Sequence, residues 1–321
     1  MQRRDFIRAA SAAAAFGWTG AQADTYPSRP IRLVVTQGTG SGSDIIGRLL
    51  AAKLGDRLKQ SVFVENKVGG GGIIGHQFVL ESPPDGYNLL LSTTAPLVVV
   101  PAMNRNAKFR LADYTAVASA LRSPYMVVVA DKPGSPASLQ DLGKRLAAGD
   151  ASYSSSGTGT LTHLATEMYL QQAGLKATHV PYKGSGQSLA DLAGGQVLFS
   201  IDSPIAVGSL VRAGRLRPLA VTSGQRLASY PDVPTMAELG YPALTITTMG
   251  GLFGPPRLPA PIVERIAREM ASVMASPDVV AQFAAMETEP LTMPTEAFRA
   301  QMLKDAPTWE RVVARLGLVA G

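Results

Sequence analysis

The sequence predicts an α/β protein of two similar lobes, each a mainly parallel sheet flanked by helices, with a ligand cleft between them. Three observations carry this expectation. The order strand, loop, helix, strand, loop, helix, strand occurs twice along the chain, and strands that alternate with helices build parallel sheets through right-handed crossovers. The 321 residues are 46% hydrophobic, enough to bury the cores of two ordinary domains. No Pro/Ser-rich linker or low-complexity tract separates the repeats, so crossing strands rather than a flexible tether are expected to join the lobes.

In the first repeat, "IRLVV" (31–35) is a strand, followed by the loop "TQGTGSGSD" and a helix near 43–59. Ile45, Ile46, Leu49, Leu50, Leu54 and Leu58 fall on one stripe of that helix, with Arg48, Lys53, Asp56 and Arg57 largely off it. "VFVEN" (62–66) leads through "KVGGGGIIG" to a second helix, and "GYNLLLSTTAP" (86–96) holds the third strand. In the second repeat, "ASYSSSGTGTLTHLATEMYL" (151–170) is strand, Gly/Ser/Thr loop and helix. "ATHVPYKGSGQSLADLAGG" (177–195) repeats that order, and "QVLFSIDSP" (196–204) supplies the last strand. Beyond them, "RPLAVTS" (217–223) is a strand and "TITTMGGLFGPP" (245–256) reads as chain crossing back to the first lobe. Helices at about 260–275, 278–286 and 295–316 would pack on that lobe, with Ser276-Pro277-Asp278 marking a stop and a new start.

Residues 1–23 are set apart from the fold. Arg3, Arg4 and Arg8 head an alanine-rich stretch that ends in Ala21-Gln22-Ala23, the pattern of a cleaved export signal, and the paired arginines point to the twin-arginine route. Cleavage near Ala23 removes three arginines and one aspartate, so the formal charge of +6 falls to +4. A modest positive field favours anionic small molecules. No basic run interleaved with aromatics supports a nucleic-acid surface, and no stretch is long and apolar enough for a mature membrane span. With no cysteine, the chain forms no disulfide, thiolate metal site or catalytic thiol.

The loop after the first strand admits two readings. A dinucleotide fingerprint needs G-x-G-x-x-G and an acidic residue about twenty positions on. Gly38, Gly40 and Glu65 fit, but Ser43 occupies the third glycine position. The alternative is an anion cradle made of amide groups at a helix N-terminus, which binds carboxylates as readily as phosphates. Ser41, Ser43 and Asp44 open one helix, and Thr158, Gly159 and Thr160 open its counterpart in the second repeat. Two such loops on facing lobes would hold one small anion between them. As isolated residues, the same serines and threonines would serve only as helix caps.

Enzyme motifs are absent. His76, His163 and His179 are the only histidines, none pairs as a metal site, and no G-x-S-x-G elbow is present. His163 lies in the first turn after the second loop and is a candidate ligand contact. Lys183 faces either cleft or solvent. Asp202, at the end of "QVLFSI", either caps the turn "DSP" or meets a hydrogen-bond donor of the ligand, because a bare carboxylate beside an anion cradle would repel a plain dicarboxylate.

The motifs together carry a family resemblance. The export signal, "YPSRPIRLVV", "GSGSD", "VFVENKVGGGGIIG", "PPDGYNLLLSTT", "SSSGTGTLTHLATEMY", "VPYKGSGQSLADLAGGQV" and "LAVTSGQRLASYPDVPTMAELG" resemble, in order and over nearly the whole mature chain, the periplasmic substrate-binding proteins of tripartite tricarboxylate transporters, the Bug family. The resemblance implies a two-lobed periplasmic binding protein of type II-like fold. Such a protein closes on a small carboxylate, amino acid or amide-type solute and delivers it to the membrane permease subunits, without catalysis, cofactor or metal and as a monomer. It divides the chain into the signal (1–23), a first lobe (24–125 with 247–321) and a second lobe (126–246). Position by position, it points to Gln37, Gly38, Ser41, Gly42, Ser43 and Asp44, to Thr93 and Thr94, to Ser155, Ser156, Thr158, Gly159 and Thr160, and to Asp202. Gln37 stands where the family commonly has an aromatic, and Leu198 where it has an aspartate, so the ligand of no relative transfers directly. The competing class is an exported NAD- or flavin-dependent oxidoreductase using the loop 38–42.

Overall fold

The computed structural model describes residues 26–39, 41–149 and 151–318; the expected export signal with its cleavage point, and Gly40, lie outside them. Two sheets form the frame. The first has six strands: β1 (Ile31–Val35), β2 (Val62–Asn66), β3 (Asn88–Thr93), β4 (Thr115–Pro124), β10 (Thr247–Gly254) and β11 (Glu289–Pro290), in the order β11-β4-β10-β3-β1-β2. The second has five: β5 (Met126–Ala130), β6 (Ser152–Ser155), β7 (Thr178–Pro181), β8 (Phe199–Asp202) and β9 (Leu216–Val221), in the order β7-β6-β8-β5-β9. Each repeat read in the sequence becomes a parallel unit, β2-β1-β3 in one sheet and β7-β6-β8 in the other. The crossing strands then add antiparallel partners, so each sheet is mixed rather than mainly parallel.

Ten helices clothe the sheets among the described residues: α1 (Gly42–Leu58), α2 (Ile73–Leu80), α3 (Val100–Met103), α4 (Leu139–Ala147), α5 (Leu161–Ala173), α6 (Ser185–Gly194), α7 (Pro204–Arg212), α8 (Ala260–Met274), α9 (Pro277–Ala285) and α10 (Thr295–Arg315). In β1, Ile31, Leu33, Val34 and Val35 are all buried, as a strand covered on both faces requires. The stripe of α1 packs on one face with α8 and α9, through Ile46, Leu50, Leu54, Ile266, Met270 and Phe283. Gly47 lets α1 come close, since a methyl there would press on Val35 and Leu91. Ile45 departs from the expected stripe: it is 47% exposed and lines the cleft. In the second lobe, α4 and α5 cover one face of the sheet, and α6 and α7 the other.

The chain leaves the first sheet at Pro124 and enters the second at Met126, with Tyr125 between; it returns at Ile246 into β10. Thr222 fastens these two passages to each other. Its Oγ1 accepts from Tyr125 N–H at 2.8 Å and donates to Ile246 O at 2.6 Å, while its backbone bonds the same two residues at 2.9 and 3.0 Å. No helix among the described residues is long and apolar enough to cross a membrane.

Candidate ligand-binding site

A cleft of about 1100 Å³ lies between the sheets, at the carboxyl ends of β1, β3, β6 and β8. That is where open α/β sheets leave room for ligands. The starts of α1, α5, α6 and α7 all reach it, so the positive ends of four helix dipoles from two lobes converge on one space. Its charged lining is sparse: Lys183 and Asp202 are its charged side chains among the described residues.

At the first loop, Ser41 caps α1, its Oγ accepting from Asp44 N–H at 3.2 Å. The next two residues, Gly42 and Ser43, line the cleft, and their amides have no intrahelical acceptor. The loop is held from behind. Asn66 Nδ2 donates to Gln37 O and to Asp44 Oδ1, both at 2.9 Å, and Arg48 bonds Asp44 through Nε and Nη2 at 3.1 and 2.9 Å. Asp44 is therefore an anchor of the loop and lies off the cleft wall, contrary to its expected contact.

The second loop uses more of its own donors. Ser156 N–H goes to Thr162 Oγ1 at 3.0 Å, Gly157 N–H to Ser155 Oγ at 3.2 Å, and Gly159 N–H to His163 Nδ1 at 3.1 Å. Thr160 caps α5, and the first free helical amides belong to Leu161 and Thr162, both at the cleft and neither singled out from the sequence. Ser155 and His163 sit beneath the loop. Ser155 Oγ is 2.7 Å from His179 Nε2, and the His163 ring stacks on His179 with centroids 4.0 Å apart. Burial lowers the affinity of both imidazoles for a proton, that of His179 to about 4. Their role is to shape the loop, and the neutral His163 is what accepts the Gly159 amide.

Of the expected positions, Gln37, Gly38, Ser41, Gly42, Ser43, Thr93, Ser156, Thr158, Gly159, Thr160 and Asp202 line the cleft. Asp44, Thr94, Ser155 and His163 do not. Thr94 instead ties the third strand's end to β10, donating to Met249 O at 3.2 Å and accepting from its N–H at 3.1 Å. Sequence reasoning passed over two further walls. The run Gly69–Gly72 lies along the cleft with every φ positive, from 59° to 130°, which only glycine adopts without strain in series. The starts of α6 and α7 bring Gly184, Ser185, Ser203 and Ile205 to the opposite side. The fact that "GGGG" and "YKGSG" each stand between a strand and a helix was the available signal.

The comparisons with known proteins fit this geometry. A family model described as tripartite tricarboxylate transporter family receptor matches residues 46–318. The chain belongs to that receptor family. Protein BugT of Bordetella pertussis is 34% identical over 298 residues, covering 92% of this chain and 91% of BugT. The structure of periplasmic binding protein BugD superposes with a TM-score of 0.79 at 27% identity, covering 92% of this chain and 99% of BugD. An R. palustris protein solved with adipate gives a TM-score of 0.82 at 30% identity, over 91% of this chain and 98% of that one. As a member of this family, the receptor is a periplasmic solute-binding protein. The oxidoreductase alternative finds no support. Glu65, the one acidic residue placed to hold a ribose, is engaged by Arg32 at 2.7 Å and Lys67 at 2.6 Å, which keep its carboxyl below the usual range.

Proposed function

We propose that this receptor captures a small carboxylate, or an amino acid or amide related to one, and hands it to the permease subunits of a tripartite transporter. The carrying observation is the pair of first-turn residues on each side of one cleft, Gly42 and Ser43 from α1 and Leu161 and Thr162 from α5, whose amides have no acceptor within their own helix. Amide pairs with a helix dipole behind them stabilise an oxyanion without any arginine. The adipate held by the R. palustris relative supports the same class.

On this reading Gln37, Gly38, Ser41, Ser43, Thr93, Ser156, Thr158, Gly159, Thr160 and Asp202 face the solute, and Lys183 adds a cation, the one in the cleft among the described residues. The lobes are residues 24–125 with 247–321, and 126–246, exported behind the signal 1–23 and working as a monomer. The proposed function includes no catalytic step: among the described residues the cleft pairs no nucleophile with a base, and all three histidines are turned into the protein.

A thermal-shift screen of mono-, di- and tricarboxylates, amino acids and their amides tests this. A true solute at a hundred times its Kd is expected to add about 2.7 kcal/mol of stability. Flat melting curves across the whole panel would remove the carboxylate reading.

A further inference from the structure

One side chain in the cleft is not explained by an anion cradle. Asp202 ends β8 and is 1% exposed. Its Oδ1 accepts the Ser203 N–H at 2.7 Å and the Ser203 hydroxyl at 3.4 Å, while Oδ2 is buried without a hydrogen-bond partner. Capping the turn accounts for one oxygen only. A buried carboxylate oxygen is costly unless something donates to it, so an orphan on a ligand cleft marks a place left for a ligand atom.

The surroundings supply hydroxyls but no cation among the described residues. Tyr125 packs beside Asp202, and burial with the neighbouring carboxylate pushes its phenol far up, so it stays neutral. The hydroxyls of Ser185 and Ser203 stabilise the ionised carboxyl in part, without outweighing its burial. No arginine or lysine among the described residues pairs with Asp202, and Lys183 is exposed on the cleft wall. Burial holds the Asp202 carboxyl up at about 6, in keeping with a site that lacks a cation.

We propose that the solute carries a hydrogen-bond donor at one end, an ammonium or a primary amide, which meets Asp202 Oδ2 while its carboxylate rests on the amides of α1 and α5. The receptor then selects donor-bearing monocarboxylates over fully ionised dicarboxylates of the same length. This rests on the reading of the cleft as a carboxylate site. Ile45 and Val68, 47% and 52% exposed and both on the cleft wall, offer an apolar surface to the solute's carbon chain.

Calorimetry at about pH 8 with three matched series tests it: the dicarboxylates from succinate to suberate, their monoamides, and the corresponding ω-amino acids. The best amide or amino acid is expected to bind at least about tenfold more tightly than the dicarboxylate of equal length. Asp202→Asn, which keeps the shape, is expected to weaken that best probe about ten- to a hundredfold and to leave or improve dicarboxylate binding. Circular dichroism of the variant checks that it folds, and Asp202→Ser repeats the comparison if it does not. Dicarboxylates binding as tightly as the donor-bearing probes would overturn the donor requirement and leave the carboxylate site standing. A donor preference unchanged in Asp202→Asn would overturn the role of Asp202. Failure of every probe would overturn both readings.

Discussion

Asp44 and Asp202 are both buried carboxylates at helix starts beside the cleft, and their neighbours give them opposite work. Asp44 is ringed by Arg48 and Asn66 and fixes a loop; Asp202 is bonded through Oδ1 by Ser203, has the Ser185 hydroxyl beside it, and keeps Oδ2 without a hydrogen-bond partner. Burial opposes ionisation of Asp202 in the folded chain. The sign for Asp202 follows from linkage. Its folded-state value, about 6, lies above the ordinary 3.8, so folding loses stability as pH rises through that window and regains it below. Asp202→Asn is therefore expected to stabilise the ligand-free protein by roughly 1–3 kcal/mol near neutral pH, with the advantage fading towards about pH 4. Melting curves of the two proteins across that range provide the check. A variant less stable than the parent at every pH would show that the bond to Ser203 outweighs the buried charge.

In the loop Ser156–Thr160 at the start of α5, one amide is held by the ring of a histidine. His163 Nδ1 takes the Gly159 N–H, and Gly159 holds φ 76°, where any side chain is strained, with the end of Met103 of the facing lobe packed over it. His163→Phe keeps the ring's bulk and orphans a buried amide, for a cost of about 1–3 kcal/mol. His163→Asn, whose side-chain oxygen can take the same proton, is expected to recover much of the loss. Urea unfolding of both variants reads this directly; equal stability of the two would mean that stacking on His179, not the amide, holds the loop. This dependence also marks what was legible in the sequence. Strand, Gly/Ser loop and helix are local patterns, so both cradles could be placed from residue types and spacing alone. Which way a first-turn residue points is set by its neighbours in space, so Asp44, Ser155 and His163 were expected in the cleft although Asn66, Arg48 and His179 hold them behind it. The strands β4 and β5 and the helices α4 and α7 were not marked out either. In β5 an unbroken apolar run has no period to read, and the β4 run, with its serines, gains meaning only from pairing with β10 and β11.

At the scale of the whole molecule, capture of a solute between the two sheets as proposed requires the lobes to move about a hinge stiff enough to keep the cradles facing each other. The lobes already touch away from the hinge, where Glu287 of the first accepts from Arg212 at 2.6 Å and from Tyr230 at 2.7 Å of the second. The pair of passages at Tyr125 and Ile246 would serve as that hinge, and among the described residues the Thr222 hydroxyl is the one side-chain group that bonds both. Thr222 is 2% exposed, so removing its hydroxyl leaves a buried N–H and a buried carbonyl without that partner. Thr222→Val, close in shape, is expected to cost about 1–3 kcal/mol and to loosen the hinge without touching the cleft. Closure by hinge rotation lowers the radius of gyration on binding. In small-angle scattering the parent should therefore contract when saturated with a solute found in the screen. The valine variant should start from a larger ligand-free radius and contract to the same liganded one, because the bound solute restores the closed arrangement. Its affinity should fall in step, since a wider open ensemble leaves less of the protein competent to bind. Equal ligand-free radii and equal affinities, together with the expected loss of stability, would show that Thr222 supports the fold but does not set the hinge.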